Sequence, residues 1–256
     1  LSSPKLKQLG QLLRPAKKAV AARKVLVTGC ASGIGQAQAQ YFLENGDLVW
    51  GVDQNTPKNI GHLDFSFVKA DLTGDLTALF ARLPRHFDII CNTAGVLDDY
   101  KPLLETSEAE FSAIWSTNLL SVIQITRHFL PQMIAEKSGV LINMCSIASF
   151  VAGGGGAAYT TSKHALAGFT RQLALDYAQD GVQIFGIAPG AVKTSMNQKD
   201  FDENGGKMAD WVASETPVGR WAEPSEVAEL TGFLASGKAS YMHGQIVKID
   251  GGWTLK

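Results

Sequence analysis

Seven short runs of valine, isoleucine and other apolar residues, spaced by stretches of helical pattern, constrain this chain more than any other feature. KVLVT (24–28), DLVWGVD (47–53), DFSFVKA (64–70), FDIIC (87–91), GVLINMC (139–145), VQIFGIA (182–188) and QIVKID (245–250) each read as a strand. Helical patterns cover 33–45, 76–83, roughly 108–136, 159 to about 179, and EPSEVAELTGFLAS at 223–236. Near-continuous apolar strands imply a sheet covered on both faces. Alternation with helices imposes right-handed crossovers, which predicts an α/β fold: a doubly wound, Rossmann-like parallel sheet of about seven strands. The chain has 256 residues, 45% of them hydrophobic, with no polar linker and no internal repeat, so a single domain can hold that sheet.

The net charge of −1 gives no reason to expect nucleic acid as a partner. Charge is unevenly placed, however: residues 1–24 hold seven of the 23 bases and none of the 24 acids. The leading segment LSSPKLKQLGQLLRPAKKAVAA could be an amphipathic helix for a membrane surface or for targeting. It could equally be a helical extension packed on its own domain or on a neighbouring subunit. Pro15 interrupts the pattern, and the preferred reading is a basic extension over 1–23 followed by the domain over 24–256. No run reaches the roughly 18 to 20 apolar residues of a membrane span. Cys30, Cys91 and Cys145 are odd in number and show neither disulfide nor zinc spacing, which suits a reducing, cytoplasmic compartment. Each ends an apolar run and reads as small core filler. The histidines at 62, 86, 128, 164 and 243 lack ligand spacing, so no metal is expected.

In doubly wound sheets, ligands bind outside the carboxyl ends of the strands. The unusual residues of this chain fall there. TGCASGIG (28–35) joins the first strand to a helix, with Gly29, Gly33 and Gly35 bare. Absent side chains let backbone amides and the helix start approach a pyrophosphate. Asp53 closes the second strand, where a carboxylate can accept hydrogen bonds from an adenosine ribose diol and would repel a 2′-phosphate. Ser32 and Gln54 supply no compensating base. This local sequence favours NAD(H) over NADP(H). Further along, Tyr159 and Lys163 stand four residues apart in GGGGAAYTTSKHALAGF (153–169), which places them on one helix face. A cation beside a phenol favours the phenolate, so the spacing predicts a lowered tyrosine pKa and a usable proton donor or acceptor.

With T-G-x-x-x-G-I-G at 28–35, N-T-A-G at 92–95, Asn118 in STNLLS, Ser146 in MCSIAS, Y-x-x-x-K at 159–163 and P-G at 189–190, the chain resembles the single-domain short-chain dehydrogenases/reductases over about residues 24–252. The resemblance implies that Tyr159 is the general acid/base, that Lys163 tunes its pKa and binds the nicotinamide ribose, and that Ser146 hydrogen-bonds the substrate carbonyl. It implies that Asn118 holds a water linking Lys163 to solvent. It also places Ser32 and Ile34 with the glycine turn, Asp71 and Leu72 near the adenine, and Asn92, Ala94 and Gly95 beneath the adenosine. Ile187, Pro189, Gly190, Val192 and Thr194 would face the nicotinamide. One departure is that Thr93 stands where the family carries a second asparagine. A homotetramer built on the long helices at 108–136 and 159–179 is the assembly the resemblance implies.

The substrate is a small-molecule carbonyl or alcohol, with 195–217 as a polar, mobile lid and the tetraglycine 153–156 leaving room across from it. Neither segment offers a cationic clamp for a small acid. PVGRWAEPSEVA (217–228) and GQIVKIDGG (244–252) most resemble bacterial 3-oxoacyl-thioester reductases; diketone, sugar-alcohol and steroid dehydrogenases are the alternatives. A non-catalytic nucleotide-sensing module is the reading from another class, and the intact Ser146, Tyr159 and Lys163 argue against it.

Overall fold

A computed structural model describes residues 22–256. Seven parallel strands form one sheet: β1 (Lys24–Thr28), β2 (Leu48–Asp53), β3 (Phe65–Lys69), β4 (Ile89–Asn92), β5 (Gly139–Met144), β6 (Val182–Pro189) and β7 (Ile246–Ile249). Their order is β3-β2-β1-β4-β5-β6-β7, so the direction of winding reverses beside β1 and β4. Successive side chains of one strand enter opposite cores. Val25, Val27, Ile89, Cys91, Val140 and Ile142 pack against α1 (Gly33–Glu44) and α8 (Pro224–Leu234). Leu26, Ile90 and Leu141, one residue out of step, pack with Ile125 and Phe129 of α4 (Ser121–Glu136) and Leu173 of α5 (Ala157–Asp176). Each such fully buried aliphatic or aromatic side chain stabilises the fold by roughly 1.5–3 kcal/mol.

The helical segments depart from their sequence expectations in two places. The pattern over 76–83 forms a single turn of helix, α2 (Thr77–Phe80). The stretch 108–136 is not one helix. It begins as α3 (Glu108–Trp115), capped by a Ser107–Glu110 capping box, and widens into one π turn over Ser116–Leu120 before α4 continues. A π turn carries one residue more than an α turn and is frequent at functional sites; Asn118 sits in its middle.

Residues 1–21, and with them most of the basic extension, lie outside the described residues. Arg23, counted with that extension from sequence, belongs to the domain. Its guanidinium grips the buried Asp47 through Nε at 2.9 Å and Nη2 at 2.6 Å, and Nη1 donates to the Ala235 carbonyl at 2.9 Å. This ties the start of β1 to the loops before β2 and after α8. No helix among the described residues is long and apolar enough to cross a membrane.

Candidate active site

The carboxyl ends of β1 to β6 open into one cleft of about 1080 Å³. Gly29, Ser32, Gly33, Ile34, Gly35, Asp53, Asp71, Leu72, Ala94, Gly95, Pro189, Gly190, Val192 and Thr194 line it, together with Ser146, Tyr159 and Lys163. Residues far apart in the chain therefore face a single space because parallel strands end on the same edge.

At the β1 end the turn is shaped by contacts that only glycine permits. Gly29 has φ +73°, and a Cβ there would stand 2.9 Å from the Ala94 backbone; a Cβ on Gly35 would lie 2.1 Å from the Gly29 carbonyl oxygen. The first-turn N–H groups of α1 have no acceptor within the helix, and Ser32 makes no capping bond. Such a bare, donor-rich cradle fits the pyrophosphate of a dinucleotide. Asp53 closes it from the side. Its Oδ2 accepts from Ala31 N at 2.9 Å and its Oδ1 from Asn55 N at 2.8 Å, so the carboxylate also holds the glycine turn against β2. Asp71 accepts from the Thr73 amide and hydroxyl, which hold its carboxyl below the ordinary range.

The end of β4 sorts its side chains. The Thr28 hydroxyl accepts from Thr93 N at 2.9 Å and Ala94 N at 3.1 Å, which fixes the Thr93–Gly95 backbone at the cleft. The Thr93 hydroxyl donates to Gln38 Oε1 at 2.6 Å, and Gln38 Nε2 donates to the Thr231 hydroxyl at 2.8 Å, a buried polar chain linking β4, α1 and α8. Thr93 thus has its own support where a second asparagine was expected. Asn92 points the other way. It is buried, does not line the cleft, and donates to Asn143 Oδ1 at 2.9 Å, whose amide in turn donates to Thr170 at 3.0 Å. Its expected place in the wall beneath the adenosine is not where its side chain lies.

Ser146 follows β5, and Tyr159 and Lys163 stand on α5, all three nearly buried. Burial pushes the Tyr159 phenol up to about 12, a shift that the hydrogen bond with Ser146 partly offsets. Burial likewise pushes the Lys163 amine down to about 8. The Lys163 ammonium donates to the Met144 carbonyl at 2.8 Å and stands 5.6 Å from the tyrosine ring centre. The spacing-based expectation of a lowered phenol pKa is therefore overturned: the pair shares a face, but desolvation disfavours the charged form of each. Asn118 is buried and does not line the cleft. Its Oδ1 accepts from Val96 N at 2.8 Å, and its Nδ2 donates to Val96 O at 3.0 Å and to Ser162 at 3.2 Å. That side chain is committed to clamping the segment that follows β4, beside Lys163.

Sequence reading missed Asp98. Its Oδ1 accepts from Gly156 N at 2.7 Å and its Oδ2 from Tyr159 N at 2.8 Å, so it caps the helix that carries Tyr159 and Lys163. The capping residue lies 58 positions upstream of the first amide, beyond any local pattern. Only glycine at 156 allows this approach, since a Cβ there would stand 2.8 Å from Asp98 Oδ2 and 2.5 Å from the Lys101 carbonyl. Gly153 and Gly154 line the cleft; a Cβ on Gly153 would meet open space, one on Gly154 would crowd the Ala148 methyl at 3.1 Å, and one on Gly155 would strike the Tyr159 ring at 2.4 Å.

The segment 195–217 forms α6 (Gln198–Asp202) and α7 (Lys207–Glu215) over the cleft mouth. Met196, Asp200, Met208 and Trp211 from it line the cleft together with Tyr100, Trp221 and Trp253. The three cysteines are buried and unpaired, and burial raises the Cys145 thiol to about 11, which disfavours the thiolate. Among the described residues no three His, Cys, Asp or Glu side chains group as metal ligands.

Comparison with known proteins agrees with this arrangement. A family model described as enoyl-(acyl carrier protein) reductase matches residues 29–254. A cis-4-hydroxycyclohexanecarboxylate dehydrogenase of Sinomonas cyclohexanicum is 33% identical over 93% of this chain and 98% of its own. A 3-oxoacyl-[acyl-carrier-protein] reductase of Chlamydia pneumoniae is 32% identical over 91% and 97%. Among solved structures, a 4-hydroxyisoleucine dehydrogenase complexed with NADH superposes with TM-score 0.85 at 27% identity, covering 91% of this chain and 99% of that one. A Beutenbergia cavernae protein described as an NAD(P)-dependent gluconate 5-dehydrogenase, with bound NADP, superposes with TM-score 0.84 at 32% identity over 93% and 98%. With its seven-stranded parallel sheet, glycine-lined cleft and relatives matched along nearly their whole length, this chain belongs to the short-chain dehydrogenases/reductases, oxidoreductases that use a nicotinamide dinucleotide.

Proposed function

We propose that this protein interconverts a ketone and a secondary alcohol with NAD(H), using Tyr159 as proton donor and acceptor, Ser146 as a carbonyl donor and Lys163 as the cation that holds the nicotinamide ribose beside them. The observation that carries this reading is the meeting of those three side chains on one wall of the cleft that the glycine turn enters. The dinucleotide, when bound, supplies or takes the hydride. The protein's own residues handle the oxygen. Reduction builds negative charge on the carbonyl oxygen, and hydroxyl donors aimed at it lower the barrier. A Tyr159 phenol raised to about 12 is protonated at neutral pH and so carries the proton that reduction requires. Lys163, anchored on Met144 O, stands at the Gly95 side of the same wall, and Asn118 holds that side by clamping Val96.

The NAD(H) preference rests on the charge of the cleft. Lys163 is its only basic side chain among the described residues, and Asp53 and Asp71 flank the adenosine end. A 2′-phosphate would meet carboxylates and no cation. Three unpaired thiols suit the cytoplasm, and the exposed Leu104 and Leu120 beside α3 and α4 suit coverage by further copies in a tetramer. Reduction of a 3-oxoacyl thioester is one member of the proposed reaction class. The test is NADH and NADPH oxidation with a panel of acyl thioesters, diacetyl, keto-sugars and cyclic ketones. Turnover that Tyr159→Phe removes supports the reading; dinucleotide binding with no turnover of any ketone or alcohol refutes it.

A further inference from the structure

We infer that the part of the substrate entering this cleft is a bulky, apolar body bearing no anionic group. The inference rests on the reading that Ser146, Tyr159 and Lys163 act on a carbonyl oxygen, and it concerns the wall beyond them. That outer wall is made of Tyr100, Met196, Met208, Trp211, Trp221 and Trp253. Tyr100, Met196, Met208 and Trp211 are each 45–54% exposed, an unusual amount of apolar surface gathered at one mouth. Trp211 and Trp253 meet edge to face at 6.5 Å, so lid and C-terminal turn present one aromatic surface.

Charge narrows the class further. Among the described residues lining the cleft the charged side chains are four aspartates and Lys163. Lys163 is buried and spent on Met144 O. On the rim, Lys199 is paired with Asp99 at 3.2 Å, and Lys207 lies outside the cleft lining, in an adjoining hollow that it shares with Asp200 and Glu203. Asp200 makes no ion pair among the described residues, and its carboxylate, after burial, pushes the Tyr100 phenol upward. A substrate carboxylate or phosphate held within the cleft would face like charge, and no cation of the cleft's own lining is free to meet it. An alkyl or alicyclic body would cover the exposed aromatic surface, and a cationic group would find both π faces and Asp200.

The test uses three ketones on one ring: 4-tert-butylcyclohexanone, its isosteric cation 4-(trimethylammonio)cyclohexanone, and 4-oxocyclohexanecarboxylate, with 4-oxocyclohexanecarboxamide as the neutral control for the acid. Binding to the full chain, with and without NADH, is read by quenching of tryptophan fluorescence. The tert-butyl and trimethylammonio ketones are expected to bind at least about tenfold more tightly than the carboxylate. Asp200→Asn narrows the cation-to-anion ratio, and Asp200→Lys reverses it. Binding of the carboxylate equal to or tighter than that of the tert-butyl ketone overturns the inference, as does absence of binding by the tert-butyl ketone. Turnover is read separately. If the apolar ketone binds and is reduced with neither cofactor, the redox reading fails, and the binding order still decides the inference.

Discussion

Asp98→Ala removes one carboxylate and orphans two amides at the start of α5. Both bonds are short, 2.7 Å to Gly156 N and 2.8 Å to Tyr159 N, and Asp98 is 9% exposed. A hydrogen bond to a charged group contributes roughly 1.5–3 kcal/mol and loss of an N-cap costs about 0.5–2 kcal/mol. These overlap, since the two bonds are the cap, so the expected loss is about 3 kcal/mol. For a domain of this size that lowers Tm by roughly 6–12 °C. The second consequence is kinetic. Tyr159 loses the anchor of its own amide, and misplacement of the proton donor is expected to lower kcat about tenfold or more. The third is electrostatic: Asp98 helps hold the Tyr159 phenol up, so its removal moves the alkaline limb of the reduction profile to lower pH. Calorimetry, steady-state rates and a pH profile read the three effects. Asp98→Asn, which keeps one acceptor, should fall between. A Tm loss under about 2 °C with kcat within about twofold of wild type refutes the reasoning, because water would then replace the carboxylate at no measurable cost.

Three other perturbations have defined outcomes. Tyr159→Phe should abolish turnover with NADH affinity nearly intact; more than about a tenth of wild-type kcat, a barrier change of only ~1.4 kcal/mol, contradicts its role as proton donor. Asp53→Ala should narrow the ratio of kcat/KM for NADH over NADPH, and adding Ser32→Arg should narrow it further; an unchanged ratio would leave Asp53 only the task of holding Ala31 and Asn55. Lys163 titrates near 8 when folded, against 10.5 for the ordinary side chain, so between those values the unfolded chain binds more protons and wild-type stability rises with pH. Lys163→Met should flatten that rise and add up to roughly 3 kcal/mol at neutral pH while stopping turnover; denaturant titrations showing the wild-type slope in the variant would contradict the assigned burial cost.

The sheet was legible in the sequence because every strand is covered on both faces. Continuous apolar runs such as GVLINM carry that signal in few residues, and the alternation with helices leaves little freedom in topology. The glycine-lined end of the cleft was legible for a related reason: glycines at 29, 33 and 35 and the acid at 53 mark a strand-turn-helix unit whose geometry is local. Tyr159, Lys163 and Ser146 could be named from spacing and resemblance. What spacing could not supply was their electrostatics. The sign of the Tyr159 shift depends on how much water the folded protein removes from the phenol, and that is a property of the whole packing. The π turn at Asn118 escaped detection because the apolar periodicity of α3 and α4 continues through it. Asp98 and the Thr93–Gln38–Thr231 chain escaped because each joins groups more than 50 residues apart, the first through an approach that only glycine at 156 allows. Sequence determined which residues reach the cleft edge. Tertiary structure decided which of them face the space and which, like Asn92 at the end of β4 and Asn118 in the π turn, turn inward to hold the others, because a buried polar side chain is held by the partners that satisfy its hydrogen bonds.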